Sequence, residues 1–243
     1  MMLDYLSQVG RYIENTKDQY AELYRIGLHV HPIPFFGDVM AARVLTVGVN
    51  PSAGEFDGRA WPESLSIQEL EKRLRGYFIC AQKPHKWFET WSDALNLIGS
   101  SYLDGAAHLD LSSRATISMG NVRNQVLFEN MVESDSRYFF ELLPRCTSVR
   151  LLLLAGCVSQ RRYMNDFIAR VAPQYGFELL GHGQTAGEGR VGFHRLIGQG
   201  IDLPVFFCSV SPSGRNPQLL IERVKEYRVE LTTRLGTTPV LPV

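Results

Sequence analysis

A chain of 243 residues, 45% of them hydrophobic, can bury one sizeable core. Its 25 Lys and Arg balance 25 Asp and Glu, which argues against coating nucleic acid by bulk charge but leaves room for a local basic groove. No apolar run is long enough for a membrane span and no basic, apolar leader opens the sequence, so a soluble, cytoplasmic protein is expected.

Cys80, Cys146, Cys157 and Cys208 are scattered, with no Cys-x-x-Cys pair. That spacing weighs against structural zinc, an iron–sulfur cluster and a disulfide scaffold. His29 and His31 in "LHVHP" would share one face of a strand, but no further ligand stands close by in sequence. No metal and no organic cofactor is expected.

In chain order, Leu3, Leu6, Val9 and Ile13 recur at helical spacing and predict an N-terminal helix. "LHVHPIPFFG" reads as an extended connection, and "RVLTVGV" as a continuously apolar, buried parallel strand. Residues 63–100 read as helical pieces, notably "SIQELEKRLRGYF" and "WFETWSDALNLIG". A second strand lies in "AAHLDLS", a short helix in "SRYFFELLPR" and a third strand in "VRLLLLAG". "SQRRYMNDFIARVA" predicts a helix capped by Ser159. "FELLGHG" and "RVGFHRLIG" read as extra strands or a hairpin around a Gly-rich loop at 181–190, before a last central strand in "LPVFFCSVS". A final helix follows, with Asn216 as cap, Pro217 at its first position and a stripe of Leu220, Val224, Tyr227 and Leu231. Strands alternating with helices predict one α/β domain over 1–243, built on an open, mostly parallel sheet covered on both faces. A helical extension is expected over about 1–40 and a loose tail over about 236–243.

In such sheets ligands bind beyond the carboxyl ends of the strands. Three of the predicted strands end there on polar side chains: the first on Asn50 in "GVNPSAG", the second on Asp110 in "HLDLSSRAT", the last on Ser211 in "SVSPSGRNPQ". Taken singly, each is ordinary turn or cap chemistry. The third strand ends in "AGCVS", which is less distinctive.

Taken together, "GVNPSAG" and "SPSGRNPQ" resemble the two signature segments of the uracil-DNA glycosylase superfamily, nearest its single-strand-selective monofunctional branch. There the segments read Gly-x-Asn-Pro-Gly and His-Pro-Ser-Pro-Arg-Asn-Pro-Gln. Pro212, Ser213, Arg215, Asn216, Pro217 and Gln218 match the second; Ser211 and Gly214 depart from it. The close likeness spans about 20 residues. It implies a central four-stranded parallel sheet flanked by helices, DNA as partner, and hydrolysis of the bond joining a flipped-out base to deoxyribose. Asn50 would hold the attacking water, and Ser52 beside it in the first segment would bind DNA. Ser213, Gly214, Arg215 and Asn216 would belong to the loop that pinches the DNA backbone, with Arg215 as wedge. Phe56 or Trp61 would stack on the base, and Glu55 or Asp57 would act as acid or base or stabilise the sugar cation. Arg114, Arg161, Arg162, Lys83 and Lys86 are further cations suited to phosphates.

Two departures shape the expected substrate. Ser211 replaces the superfamily's histidine donor, and loss of one such donor typically costs about 3 kcal/mol. Asp110 stands where the superfamily uses an Asn to read uracil. An ionised Asp offers only acceptors, which suits the exocyclic amine of cytosine and opposes O4 of uracil. With a proton shared at ring nitrogen N3 the pairing becomes charge-assisted, and the base becomes a better leaving group. Removing ordinary cytosine would destroy the host genome, so a C5-modified cytosine is expected, such as the hydroxymethylated or glucosylated base of phage DNA, in bacterial antiviral defence. The alternatives are a repair glycosylase for uracil or another deaminated base, and a catalytically inactive DNA-binding module of the same fold. A nucleotide-phosphate cradle lacks the required glycine spacing.

Overall fold

The computed structural model describes residues 2–24, 31–53, 65–80, 85–117, 121–159, 162–184 and 189–236. At its centre three strands are buried at every position: β2 (Val44–Gly48), β3 (Ala106–Asp110) and β4 (Leu151–Ala155). A strand that hides both alternating rows of side chains must be covered on both faces, which is why these segments read as unbroken apolar runs.

With β9 (Ile201–Cys208), these strands form a parallel core in the order β3-β2-β4-β9. The sheet is larger than the expected four strands. β1 (Phe35–Phe36) pairs antiparallel with β3 at one edge, and the hairpin β7 (Phe177–Gln184) and β8 (Val191–Gly198) extends the other. The result is a mixed seven-stranded sheet in the order β1-β3-β2-β4-β9-β8-β7. β7, β8 and β9 follow one another as antiparallel neighbours, which need no crossover, whereas β1 reaches β3 only after β2 and helical segments intervene.

Helices supply the covers: α1 (Met2–Thr16), α2 (Ile67–Arg75), α3 (Tyr77–Cys80), α4 (Lys86–Leu97), α5 (Gln125–Leu142), α6 (Met164–Val171), α7 (Gln218–Glu226) and α8 (Arg228–Leu235). α2 opens on a capping box, Ser66 and Glu69 each bonding the other's backbone N–H. α1 buries Tyr5, Leu6, Val9 and Ile13 in the same hydrophobic cluster as the sheet, so Tyr5 takes the place expected for Leu3.

Several local expectations are corrected. The segment around "SRYFFELLPR" belongs to an 18-residue helix that starts at Gln125, capped by the Asn124 side chain. Ser159 does not cap α6: the chain first forms the small ribbon β5 (Cys157–Ser159) and β6 (Arg162–Tyr163), so Ser159 lies buried in a strand and Tyr163 takes the cap position. At the last helix it is the Asn216 carbonyl that accepts from Leu219 N–H, at 3.3 Å, while Pro217 holds the cap position without a side-chain bond. That helix breaks at Tyr227 into α7 and α8, yet Leu220, Val224 and Leu231 remain buried. No helix among the described residues is long and apolar enough to cross a membrane.

Candidate functional site

The strand register brings the site together. Gly48 of β2 lies opposite Asp110 of β3, and Ala155 of β4 opposite Cys208 of β9, so all four tips end at one level. Just beyond them lies a cleft of about 190 Å³ lined by Asn50, Asp110 and Ser211, with Ser52 and Ser213 at its wall. A cavity well below the roughly 300–1,000 Å³ of drug-sized ligand sites suits one small ring.

Asn50 is held by its amide nitrogen. Nδ2 donates to the Pro51 carbonyl at 2.9 Å, the Arg114 carbonyl at 3.1 Å and Thr116 Oγ1 at 2.8 Å. Two of these partners are carbonyls that can only accept, which fixes the amide's orientation. Oδ1 bonds no described residue, so the group retains an acceptor at the cleft.

The carbonyl of Arg114 is itself anchored by an interior network. Arg114 Nε donates to Asp135 Oδ2 at 2.8 Å, Nη1 to the Tyr24 hydroxyl at 2.7 Å and Nη2 to Thr16 Oγ1 at 2.5 Å. Ser112 Oγ donates to the same Asp135 oxygen at 2.6 Å. The Arg114 side chain is 0% exposed and stacks on the rings of Tyr12 and Tyr20. Arg114 therefore cannot meet a phosphate. A cation in a polar loop reads as solvent-facing until its tertiary partner Asp135 is seen.

Asp110 is almost wholly buried, and burial raises its carboxyl above the ordinary range, with His108 opposing. His108 Nε2 lies 3.2 Å from Asp110 Oδ1, whereas Oδ2 has no partner. Gly48 makes this approach possible: a Cβ there would sit 2.4 Å from Asp110 Oδ1 and 2.8 Å from His108 Nε2. Behind the imidazole, Nδ1 lies 2.9 Å from Thr46 Oγ1, which lies 2.7 Å from the Tyr102 hydroxyl. Phe36 stacks on His108, while Trp87 and Phe88 meet it edge-on.

Ser211 hangs over the turn after β4. Gly156 there has φ +78°, and a Cβ on it would come within 3.1 Å of the Ser211 Cα. Thus the third strand's unremarkable ending is what lets the Ser211 segment approach. The Ser211 carbonyl accepts from Gly214 N–H at 3.0 Å, and Thr90 Oγ1 of α4 donates to the Pro212 carbonyl at 2.8 Å. Ser213, Arg215 and Asn216 are exposed, and Gly214 is half-buried; of these only Ser213 lines the cleft.

Lys86 is exposed, and Arg162 lies 3.6 Å from Glu129. Phe56, Trp61, Glu55 and Asp57, with Lys83, Arg161 and His29, lie outside the described residues. Among the described residues no cluster of His, Cys, Asp or Glu suits a metal ion.

Sequence reading missed several cleft residues, among them Phe36, His85, Trp87 and His108. For His108 a signal existed, since residues two apart on a strand share a face and "HLD" places it beside Asp110. His85 caps α4 by accepting from Trp87 N–H at 3.3 Å, and burial holds its pKa below the ordinary value. Burial pushes the Cys157 thiol up, which makes it a poor nucleophile. No family model matches the chain, and no curated protein does.

Proposed function

We propose that this chain is a monofunctional DNA glycosylase that removes a flipped-out, C5-modified cytosine, in the manner implied by its resemblance to the uracil-DNA glycosylase superfamily. One observation carries the reading: Asn50, Asp110 and Ser211, far apart in sequence, line a single small cleft at the carboxyl edge of the parallel strands. The Asn50 acceptor orients a water toward the anomeric carbon, Asp110 meets the amine-bearing edge of the base, and the Ser211 hydroxyl is left to support the departing ring. Exposed Arg215 and Asn216 extend from the same loop toward the DNA strand. Selectivity for modified cytosine would serve bacterial defence against phage whose DNA carries such bases.

The test is release of free base, read by mass spectrometry, from oligonucleotides carrying uracil, cytosine, 5-hydroxymethylcytosine or its glucosylated form. Release from the modified cytosines is expected, with ordinary cytosine left intact. Efficient release of uracil with modified cytosine untouched would overturn the substrate assignment and favour a repair role.

A further inference from the structure

A chain of close polar contacts runs from Tyr102 through Thr46 and His108 to Asp110 at the cleft, and its consequence rests on the glycosylase reading above. Tyr102 and Thr46 are buried behind the cleft and His108 and Asp110 in its wall, so these polar groups lean on one another for partners. Thr46 Oγ1, at 2.7 Å, is the acceptor within reach of the buried Tyr102 hydroxyl, which assigns Tyr102 as the donor of that pair. Thr46 then donates onward to His108 Nδ1 at 2.9 Å; its alternative acceptor, the Ala107 carbonyl, lies at 3.4 Å and competes poorly. With Nδ1 accepting, the ring N–H is the one at Nε2, which lies 3.2 Å from Asp110 Oδ1 and faces that oxygen. A carboxyl that accepts at Oδ1 places its own proton on Oδ2, the oxygen without a partner.

We propose that His108 is a positioning residue that sets base choice: by occupying Asp110 Oδ1 it pins the carboxyl proton to Oδ2. The site then admits a ring-nitrogen acceptor beside an exocyclic amine, the cytosine edge. It turns away N–H beside a carbonyl, the uracil edge. In the reaction the Oδ2 proton passes to N3 while the C1′–N1 bond breaks, its electron pair leaving with the base. Water oriented by Asn50 forms the new C1′–O bond and releases a proton to solvent, and Asp110 regains its own from solvent. Tyr102 behind Thr46, and His85 and Cys157 on the cleft wall, are the other titratable groups near the pair among the described residues. Burial shifts each of the three toward its neutral form.

The test uses the full chain, with His108→Leu, His108→Gln and Asp110→Asn. In the wild type, ¹⁵N imidazole resonances should report a proton on Nε2 and a bare Nδ1. Base release from hydroxymethylcytosine oligonucleotides should fall at alkaline pH as Asp110 ionises. In His108→Leu that alkaline limb moves to higher pH, because the donor that favoured the carboxylate is gone, and preference for the cytosine-type base over uracil drops at least tenfold. His108→Gln, whose Nε2 can donate to Oδ1, restores much of both. Asp110→Asn, which has no acid proton to pass to N3, loses release of the cytosine-type base at every pH. An unchanged limb and preference in His108→Leu, or a wild-type spectrum with the proton on Nδ1, overturns the proposal. If no oligonucleotide releases a base, the glycosylase reading fails, and the imidazole spectrum still decides the proton's place.

Discussion

Asn50 shows how a single amide becomes a directional tool. Its nitrogen is spent on three acceptors, so the carbonyl oxygen is the half left to act on a ligand. Asn50→Ala should lower base release by roughly 100-fold or more, the scale expected when a reactant loses its alignment, while leaving DNA affinity intact. Fluorescence anisotropy on the same oligonucleotides checks the second half, and a pure binding module would show no activity to lose. Asp110 makes the opposite bargain, since burial raises its carboxyl above the ordinary value. The folded state therefore binds a proton that the unfolded chain releases, and stability falls as pH rises from the ordinary carboxylate range through the raised value. Asp110→Asn should stabilise the protein by about 1 kcal/mol at pH 8, with the gain fading below pH 4, as followed by thermal melting at both pH values.

Between residues and fold stand the segments that place them. Gly48 faces Asp110 across two parallel strands, and Gly48→Ala would press a methyl into the carboxylate. A cost of about 1–3 kcal/mol in urea unfolding is expected, with loss of activity at temperatures where the fold survives. The segment 112–116 is clamped to α1 and α5 by the buried Arg114–Asp135 pair. Arg114→Met leaves Asp135 buried without its cation and should cost about 3–5 kcal/mol; adding Asp135→Leu should recover much of it, which a double-mutant cycle measures. The same contrast explains what the sequence disclosed. Asn50, Asp110 and Ser211 were legible because a polar residue closing an apolar run stands out against its neighbours. His108 was easily passed over because it sits inside such a run, although its two-residue spacing from Asp110 put both on one face. Its contact with Thr46 on the neighbouring strand needed the register. Ser159 was misread because local cap preference cannot foresee the pairing of Cys157–Ser159 with Arg162–Tyr163. The edge strands β7 and β8 were foreshadowed by their apolar residues, but their place beside β9 is a long-range choice.

At the scale of the whole molecule, zero formal charge means that, on the proposed reading, attraction to DNA would come from a few placed cations. Arg215 and Lys86 are exposed near the cleft's mouth, on the Ser211 loop and on α4. Affinity for single-stranded DNA should fall with salt at a logarithmic slope of about −0.7 per phosphate engaged, and Arg215→Ala should reduce that count by about one in a titration across ionic strength. The two sides of the cleft are meanwhile joined by a bond that crosses the fold, from the Thr90 hydroxyl to the Pro212 carbonyl. Because that tether is one helix hydroxyl meeting one loop carbonyl, warming should unhook it before the hydrophobic interior yields. Turnover would then fade reversibly at temperatures where the calorimetric trace is still flat, giving the protein a built-in thermal ceiling set by a single threonine.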